Sequence, residues 1–275
     1  MASVDATPPA LERAEGAVRI GIAGAGGRSH LQEAYQRGSL KVRFPRQFDT
    51  DVPEAVLINT AGGITGGDRF RVDVKVSDGA SLTITSQAAE KIYRSAAGEG
   101  RIEVGLAVGT GAHLLWLPQE TILFDRGRLE RGLDVDLAED SHLLLCEMAI
   151  LGRAAHGETV RDGYLADRWR IRRGGRLVYA DNLKIGGAEL ASAAGPATLG
   201  GGRAFANLLM VGPDAEDAVE AARQGLKDAP ASAGASAWNG MLAVRMVAAD
   251  GNALKPAIIR LCRAIGVRVP RAWSI

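Results

Sequence analysis

The stretch Val72–Ser86, VDVKVSDGASLTITS, decides the fold of this chain. Its first three valines alternate with polar residues, which predicts a β-strand with one buried face. The acidic and small residues that follow predict a turn, and a second alternating strand begins directly after it. Two later stretches repeat this pattern without a gap, VGLAVGTGAHLLWLP at Val104–Pro118 and LDVDLAEDSHLLLCE at Leu133–Glu147.

The three repeats predict a β-solenoid. They start 32 and then 29 residues apart, and a fainter fourth copy, DRWRIRRGGRLVYAD at Asp167–Asp181, keeps two turn glycines and places Leu177 and Tyr179 inward. Each strand pair can bury its apolar face only against its neighbour, so we expect a mainly β, β-helix-like body of stacked strand pairs. An ordinary β-sandwich of unrelated hairpins is the alternative.

The composition changes after Lys184. Small residues fill positions 186–202 and 229–237, and both stretches predict surface loops. AFANLLMV and GMLAVRMVAAD predict strands, whereas PDAEDAVEAARQGLKDA and KPAIIRLCRAIG predict two short helices near the C-terminus. We therefore expect a single domain over residues 1–275, with a β-rich body over about 15–185 and strands plus two helices over about 203–275.

Charge and composition argue against several classes of protein. The 275 residues carry 33 basic and 32 acidic side chains, a formal charge of +1, which predicts no nucleic-acid-binding surface. The N-terminal MASVDATPPALERAEG lacks the basic and apolar regions of a signal peptide, and the apolar stretch around SHLLLCEMAILG is too short to cross a bilayer. Cys146 and Cys262 lie in apolar runs, which predicts packed, reduced thiols. We expect a cytoplasmic protein without membrane contact.

The stretch NTAGGITGGDRF at Asn59–Phe70 has the glycine content of a phosphate-binding loop but lacks its other parts. It contains no lysine, and the strand RFRVDVKVSD follows where a phosphate-binding loop requires a helix. Gly62, Gly63, Gly66 and Gly67 are therefore interpreted as structural turn positions. At such positions the backbone needs a positive φ, or a Cβ would clash with a neighbouring strand.

Acidic residues at strand ends are the first candidates for binding chemistry. Asp68, Glu90, Glu120, Glu147 and Asp181 each stand where an apolar strand meets a turn. A carboxylate in that position must be solvated or paired. Pairing with basic neighbours is one interpretation of these acids, and a binding role is the other.

The histidines and the remaining motifs predict no permanent metal site. His113 and His142 occupy the same position in consecutive repeats, so we expect both imidazoles to face one side of the solenoid. Solvent-facing polar residues and a transient ligand pair both fit that placement. The chain has no C-x-x-C, H-E-x-x-H or G-x-S-x-G motif, so neither a zinc site nor a nucleophile elbow is predicted.

Five blocks occur in a specific order along the chain. They are NTAGGITGGDRF, TSQAAEKIYRS at Thr85–Ser95, WLPQETILFD at Trp116–Asp125, LGRAAHGE at Leu151–Glu158 and PRAWS at Pro270–Ser274. In that order they resemble the urease accessory protein UreD family, also called UreH. The resemblance covers nearly the whole chain, and the differences are confined to the small-residue loops around 186–202 and 229–237.

The resemblance implies a β-helix-like, non-enzymatic maturation factor of the cytoplasm. Such a protein docks the urease apoprotein and recruits UreF-like and UreG-like accessory proteins, so that nickel reaches the urease active site. GTP hydrolysis is implied for the UreG-like partner. The resemblance implies no tightly bound cofactor, only nickel in transit.

Under this resemblance, Asp68, Glu120 and Glu147 are predicted to line a transient nickel path. Nickel(II) is borderline in softness and travels hydrated, so carboxylate oxygens can hold it weakly and release it. The motivation is the position of these acids at strand ends of consecutive repeats. Their exchange for amides is expected to impair urease activation.

A partner-binding surface is predicted at Tyr93, Arg94 and Phe124, because aromatic and arginine side chains often anchor interfaces. Trp116 occupies an inward position of its repeat and is predicted to lie in the core. A carbohydrate-binding or polysaccharide-active β-solenoid is the alternative function. Only 5% of the residues are aromatic, which makes the aromatic platforms of such proteins hard to supply.

Overall fold

The computed structural model describes residues 12–153, 156–187, 190 and 195–274. Strands dominate, and two helices lie near the C-terminus, as predicted. The helices are α1 (Val219–Leu226) and α2 (Gly251–Ala264). The strands, in chain order, are β1 (Glu15–Ala25), β2 (Arg28–Gly38), β3 (Leu40–Arg43), β4 (Glu54–Asn59), β5 (Arg69–Val76), β6 (Ser81–Ser86), β7 (Glu90–Ile92), β8 (Gly100–Val108), β9 (His113–Trp116), β10 (Thr121–Leu123), β11 (Arg128–Leu137), β12 (His142–Leu151), β13 (Tyr164–Arg173), β14 (Arg176–Gly186), β15 (Ala204–Val211), β16 (Ser232–Trp238) and β17 (Met241–Ala248).

The strands form a β-solenoid of about four turns. One sheet has the order β14-β13-β11-β8-β5-β1-β2, and its five strands from β13 to β1 run parallel. The facing sheet has the order β16-β17-β15-β12-β9-β6-β4-β3, with β4, β6, β9 and β12 parallel. The short strands β7 and β10 pair with each other, and β10 also pairs with the end of β12, which forms a third side.

The register of the three predicted repeats is confirmed. Val72 pairs with Val104, and Val104 pairs with Leu133, as the gapless superposition of the sequences requires. The second strands behave the same way, because Leu114 lies between Leu82 and Leu143 in register. All of these side chains are buried between the two sheets. The alternating pattern therefore specified the stacking as well as the strands.

The fourth repeat is only half correct. Its first strand, β13, stacks in parallel on β11, but with Leu133 opposite Trp169, two residues away from the predicted match. Its second strand, β14, turns back and pairs antiparallel with β13, so Leu177 is 55% exposed and not inward. The turn explains the difference, because two consecutive glycines, Gly174 and Gly175, have φ of 55° and 78° and close a tight hairpin. The other repeats have longer turns that let the chain cross to the facing sheet.

Two apolar cores hold the fold together. The first fills the interior of the solenoid between the two sheets. The second lies outside, where β12, β15 and β17 pack against the helices through Leu144, Met148, Leu254, Ile258 and Leu261. Helix α2 begins at Gly251, where the side chain of Asp250 accepts a hydrogen bond from the amide of Ala253 at 2.9 Å. The C-terminal helices thus cover one outer face of the solenoid.

One predicted loop is a strand. Residues 229–237 were expected to form a flexible loop because they are alanine, serine, glycine and proline, yet β16 occupies Ser232–Trp238 at the edge of the second sheet. These residues form a strand because their backbone pairs with β17. A strand at the edge of a sheet can be held by backbone hydrogen bonds without large apolar side chains. The other predicted loop, 186–202, includes residues 188, 189 and 191–194, which lie outside the described part of the chain.

Cys146 and Cys262 are both buried in the second core and form no disulfide, as predicted. Burial raises the pKa of the Cys262 thiol to about 12 and also raises the pKa of Cys146. Both sulfurs are therefore protonated packing groups.

Within the described ranges, no helix is long and apolar enough to cross a membrane.

Candidate functional site

Four sequence blocks meet along the third side of the solenoid, which we call the motif corner (residues 62–67, 90–95, 121–125, 151–153 and 156–158). Backbone hydrogen bonds join the blocks in order. The amide of Ile64 donates to the carbonyl of Lys91 at 2.8 Å, and that of Phe124 donates to Ile92 at 3.0 Å. The amide of Gly152 then donates to Leu123 at 2.8 Å. Residues up to about 90 positions apart in sequence therefore form one surface.

Glycines of the first block pack directly against the second block. A Cβ on Gly66 would lie 1.9 Å from Ser95 Oγ and 2.3 Å from the carbonyl oxygen of Ala97. Gly63 has a φ of 153°, and a Cβ there would lie 2.3 Å from Cε2 of Tyr93. The other two glycines of this block, Gly62 and Gly67, also have positive φ. The loop thus needs glycine both for close approach and for its backbone conformation.

An aromatic and arginine cluster forms the exposed part of the motif corner. The ring of Tyr93 meets Phe124 edge-on, with centroids 5.1 Å apart. The guanidinium of Arg153 lies 4.3 Å from the centroid of the Phe124 ring and forms a two-point ion pair with Glu158. Tyr93 is 41% exposed, and Arg94 beside it is also exposed, whereas Phe124 is buried beneath them. Arg153, which the sequence did not single out, completes the cluster.

The motif corner also lines a cavity of about 190 Å³ inside the solenoid. Most of its wall is apolar, from both sheets. Polar side chains enter it at Asn59, Glu90, Gln119, Arg131 and Glu147. Gly62 and Ile64 of the first block belong to the same wall. The cavity is thus an apolar space with a few placed polar groups, and it is partly open to solvent.

A buried ion network lies at one side of this cavity. Arg131 forms ion pairs with Glu147 and Asp167, and it also donates to Oγ1 of Thr121 at 3.3 Å. Trp116 is in the core, as predicted, and its indole Nε1 donates to Oε1 of Glu147 at 2.8 Å. Burial raises the pKa of Glu147. The carboxylate of Asp167 raises it further, because the guanidinium of Arg131 is shared between the two acids and offsets the effect only in part.

Glu90 lies in the same cavity with a different set of partners. Its carboxylate accepts hydrogen bonds from Nδ2 of Asn59 at 3.1 and 3.3 Å. In the described part of the chain it forms no ion pair with a basic side chain. Burial raises the pKa of Glu90 to about 7, and the hydrogen bond from Asn59 only partly offsets this. Glu90 therefore exchanges a proton near neutral pH.

The structure places the three acids of the predicted nickel path in different surroundings. Both oxygens of Asp68 accept backbone hydrogen bonds at 2.8 Å, from Ala14 and Thr65. Glu120 lies 3.6 Å from Nζ of Lys255, which belongs to α2. Glu147, alone of the three, lines the cavity. A role for these acids in a nickel path stays a prediction. Asp68 and Glu147 are hydrogen-bonded, whereas Oε2 of Glu120 is buried and accepts no hydrogen bond from the described residues.

His113 and His142 face the same side of the solenoid, as expected from their repeat positions. Their rings stack with centroids 4.3 Å apart and planes within 3°. Nδ1 of His142 lies 3.3 Å from Oδ1 of Asp214, and burial lowers the pKa of His113. Among the described residues, no group of three or more His, Cys, Asp or Glu side chains is placed to hold a metal ion.

The fifth block, at the C-terminus, closes onto the third block. Nε1 of the buried Trp273 donates to the carbonyl of Leu117 at 3.1 Å. In return, Nε2 of Gln119 donates to the carbonyl of Ala272 at 2.7 Å. The block therefore anchors the end of the chain beside the wall of the cavity.

Comparison with known proteins matches these blocks to one family. A profile described as UreD urease accessory protein matches residues 14–274, which includes all five blocks. The chain belongs to the UreD family. A urease accessory protein UreD of Rhizobium leguminosarum bv. trifolii is 47% identical over 266 residues, 96% of each chain. A urease accessory protein UreD 2 of Methylorubrum populi is 48% identical over 97% of this chain and 92% of its own length.

Membership of the UreD family supports a role in urease maturation for this chain and an accessory, non-enzymatic character. The blocks lie far apart in sequence but together in space because consecutive turns of the solenoid stack in parallel. Four of the blocks form the motif corner, and the fifth is hydrogen-bonded to the third block beside it. The blocks could be read from the sequence, but the cavity behind them and the hydrogen bond from Asn59 to Glu90 could not.

Proposed function

We propose that this protein docks the urease apoprotein and, together with UreF-like and UreG-like partners, helps deliver nickel to the urease active site. The observation that carries the proposal is the convergence of four family blocks around one corner that lines a partly open cavity. In this proposal nickel is cargo, no cofactor is bound tightly, and GTP is hydrolysed by the UreG-like partner. The complex assembles in the cytoplasm.

The surface of the motif corner supports the docking part of the proposal. Tyr93 and Arg94 are exposed above the buried Phe124. An aromatic side chain that is rigidly packed on one side loses little conformational entropy when a partner covers the other side. Arg153, paired with Glu158, keeps the Phe124 ring covered by a cation. This arrangement suits a partner surface with an apolar centre and an acidic rim.

The interior supports the delivery part. The cavity is large enough for several water molecules and contains carboxylates at Glu90 and Glu147. A hydrated divalent cation needs such oxygen ligands in small number, because a full cage would retain it. Asp68 and Glu120, the other acids predicted for the nickel path, lie outside the lining of this cavity.

A genetic experiment tests the function. The gene is deleted in a urease-positive host, and urease activity is measured with and without added nickel. We expect little activity without nickel, and restoration by a plasmid copy of the gene. Affinity capture of the tagged chain is expected to recover urease subunits and UreF-like and UreG-like proteins. Full urease activity in the deletion strain under both conditions would refute the proposal.

The alternative of a carbohydrate-active β-solenoid is less well supported. Family membership points to the urease system. The capture experiment separates the two functions, because a polysaccharide-active protein has no reason to bind urease subunits. Capture of the chain without any urease component, combined with binding to a glycan array, would favour the alternative.

A further inference from the structure

Arg126, which directly follows the motif corner, has a backbone conformation that arginine rarely adopts. It lies in the turn Phe124–Gly127, which is closed by a hydrogen bond of 2.9 Å from the amide of Gly127 to the carbonyl of Phe124. The φ of Arg126 is 63°, whereas that of Asp125 before it is not positive. Positive φ at the third position alone is the pattern of a type II turn, and that position normally carries glycine or asparagine.

The side chain of Arg126 does not explain this conformation. Two other described residues that are not glycine have positive φ, Asp228 and Asn239. Short polar side chains of their kind tolerate the left-handed region, because they can hydrogen-bond to nearby backbone groups. A long arginine side chain lacks this compensation, and glycine at position 126 would relieve the strain. Residues kept in a strained conformation cluster at functional sites.

Neighbouring segments hold the backbone of Arg126 in place. Its carbonyl accepts a hydrogen bond of 2.9 Å from the amide of Ser95, and its amide donates to the carbonyl of Asp162 at 2.5 Å. Arg94 and Gly127 form an antiparallel bridge beside these bonds. Arg94 and Arg126 therefore lie on adjacent backbone segments, and both side chains are exposed.

The surface around these two residues has an excess of positive charge. Its acids are already engaged, since Asp125 accepts hydrogen bonds of 2.7 and 3.0 Å from two backbone amides, Glu158 pairs with Arg153, and Asp162 lies 4.0 Å from Arg128. Four exposed basic side chains form no ion pair within the part of the chain that the structure describes, namely Lys91, Arg94, Arg126 and Arg161. The chain as a whole carries a charge of only +1, so this excess is local.

We propose that Arg94 and Arg126 bind a carboxylate on an acidic segment of the protein partner that docks on the motif corner. The proposal rests on the function proposed above and names the chemistry of the docking surface. Tyr93 supplies an apolar contact beside the two guanidinium groups. A guanidinium binds a carboxylate through two parallel hydrogen bonds, which fix the orientation of the partner as well as its affinity.

An acidic protein segment fits this surface better than a nucleic acid or a membrane does. Nucleic acid requires a basic face along which many phosphates are neutralised, and an anionic membrane requires a longer cluster of lysines and arginines. Here acidic side chains lie among the basic ones, at Asp125, Glu158 and Asp162. A partner with separate carboxylates complements such a mixed surface.

The test measures binding of the purified full chain to the purified urease apoprotein and to the purified UreF-like protein of the same host, each by biolayer interferometry. Arg126→Gly removes the guanidinium but suits the turn, so the melting temperature is expected to stay unchanged or rise by about 2 °C. We expect this variant to weaken the binding of one partner about tenfold, and Arg94→Ala to weaken binding of the same partner by a similar factor. Weaker binding by a fold that is no less stable separates a binding role from a structural one.

Two further variants make the result specific. Arg126→Lys keeps the charge and is expected to lose less affinity than Arg126→Gly. Asp228→Gly makes the same change to glycine at a left-handed position after α1 and is expected to leave binding unchanged. Raising the NaCl concentration from about 0.1 M to about 0.5 M is expected to weaken the parent more than Arg126→Gly.

The proposal is overturned if the parent binds neither protein, if the parent and Arg126→Gly bind both proteins equally, or if Arg126→Gly and Asp228→Gly lose affinity equally. A loss of affinity for phosphatidylglycerol vesicles, without a loss for either protein, would assign the surface to a membrane instead. These outcomes are measured on isolated proteins. They are therefore distinct from full urease activity in the deletion strain, which would overturn the proposed function.

Discussion

Arg131 and Asp167 lie directly opposite each other on neighbouring parallel strands, β11 and β13, and are joined by a hydrogen bond of 3.1 Å from Nε to Oδ1. Both side chains are buried, and the guanidinium also pairs with Glu147. One cation thus neutralises acids from two different strands inside the solenoid. Charges so far from water are tolerated only while their partners are present.

Arg131→Met is therefore expected to lower the free energy of unfolding by about 3 to 5 kcal/mol, because it leaves two buried carboxylates without a cation. The measurement is urea-induced unfolding followed by circular dichroism. The triple variant Arg131→Met/Glu147→Gln/Asp167→Asn is expected to recover much of the loss, since no unpaired charge remains.

The matched control for that prediction is Arg71→Ala. Arg71 pairs with Asp73 at 2.7 Å, but on the outer face, where the side chain of Arg71 is 64% exposed and that of Asp73 is 33% exposed. Its loss is expected to change stability by less than about 1 kcal/mol. Similar losses for Arg131→Met and Arg71→Ala would contradict the assignment of a buried network.

Stability is expected to depend on pH through Glu90. The pKa of this carboxyl is about 7 in the folded protein and close to 4.5 in the unfolded chain. The folded state therefore holds the proton more tightly, and the contribution of Glu90 to stability is lost as the pH rises from about 4.5 to about 7. Glu90→Gln should match the parent near pH 5 and exceed its stability by about 2 to 3 kcal/mol near pH 8.

Urea unfolding at both pH values, for parent and variant, checks this prediction. Taking the difference between the two proteins cancels the titration of all other groups. An identical difference at both pH values would show that Glu90 ionises as easily in the folded protein as in the unfolded chain.

Gly66→Ala is expected to destabilise the motif corner by about 1 to 3 kcal/mol, since the new methyl group would collide with the backbone carbonyl oxygens of Ala97 and Gly98. Thermal unfolding measures the loss. Gly234→Ala is the control, because the Cβ site of Gly234 on β16 meets nothing within 4 Å. We expect it to be neutral or slightly stabilising, and a comparable loss in both variants would argue against a steric cause.

Tyr93→Ala is expected to reduce capture of urease and accessory proteins without changing the melting temperature by more than a few degrees. Tyr35→Ala is the matched control, since both tyrosines are 41% exposed and Tyr35 lies on β2, outside the motif corner. The measurement is quantitative affinity capture from the urease-positive host. Equal capture by both variants would remove the motif corner from the partner surface.

The predictability of the fold varied along the chain. The repeats were found with the correct register because period-2 alternation is a local property of each strand and because each repeat has the same length between its two strands. β16 was missed because its small residues carry no such pattern and its pairing with β17 decides its structure. β14 was misplaced because the glycine pair at 174–175 selects a hairpin over a crossing to the other sheet.

In the candidate site, too, some features could be predicted from the sequence and others could not. The sequence blocks, the inward Trp116 and the shared face of His113 and His142 could all be predicted from spacing. The ion-pair and hydrogen-bond partners of the acidic residues could not be predicted. Glu120 meets Lys255, which is 135 positions away, and the oxygens of Glu147 are taken by residues of two other strands.

By itself, the sequence determined that this chain is a β-solenoid with two C-terminal helices and that it belongs to the UreD family. Strand alternation, glycine positions and family blocks can all be recognised from residues that are close together in the sequence. Only the tertiary structure decided which carboxylate is held by a neutral partner inside the cavity, because pairing and burial depend on residues that folding brings together from distant strands.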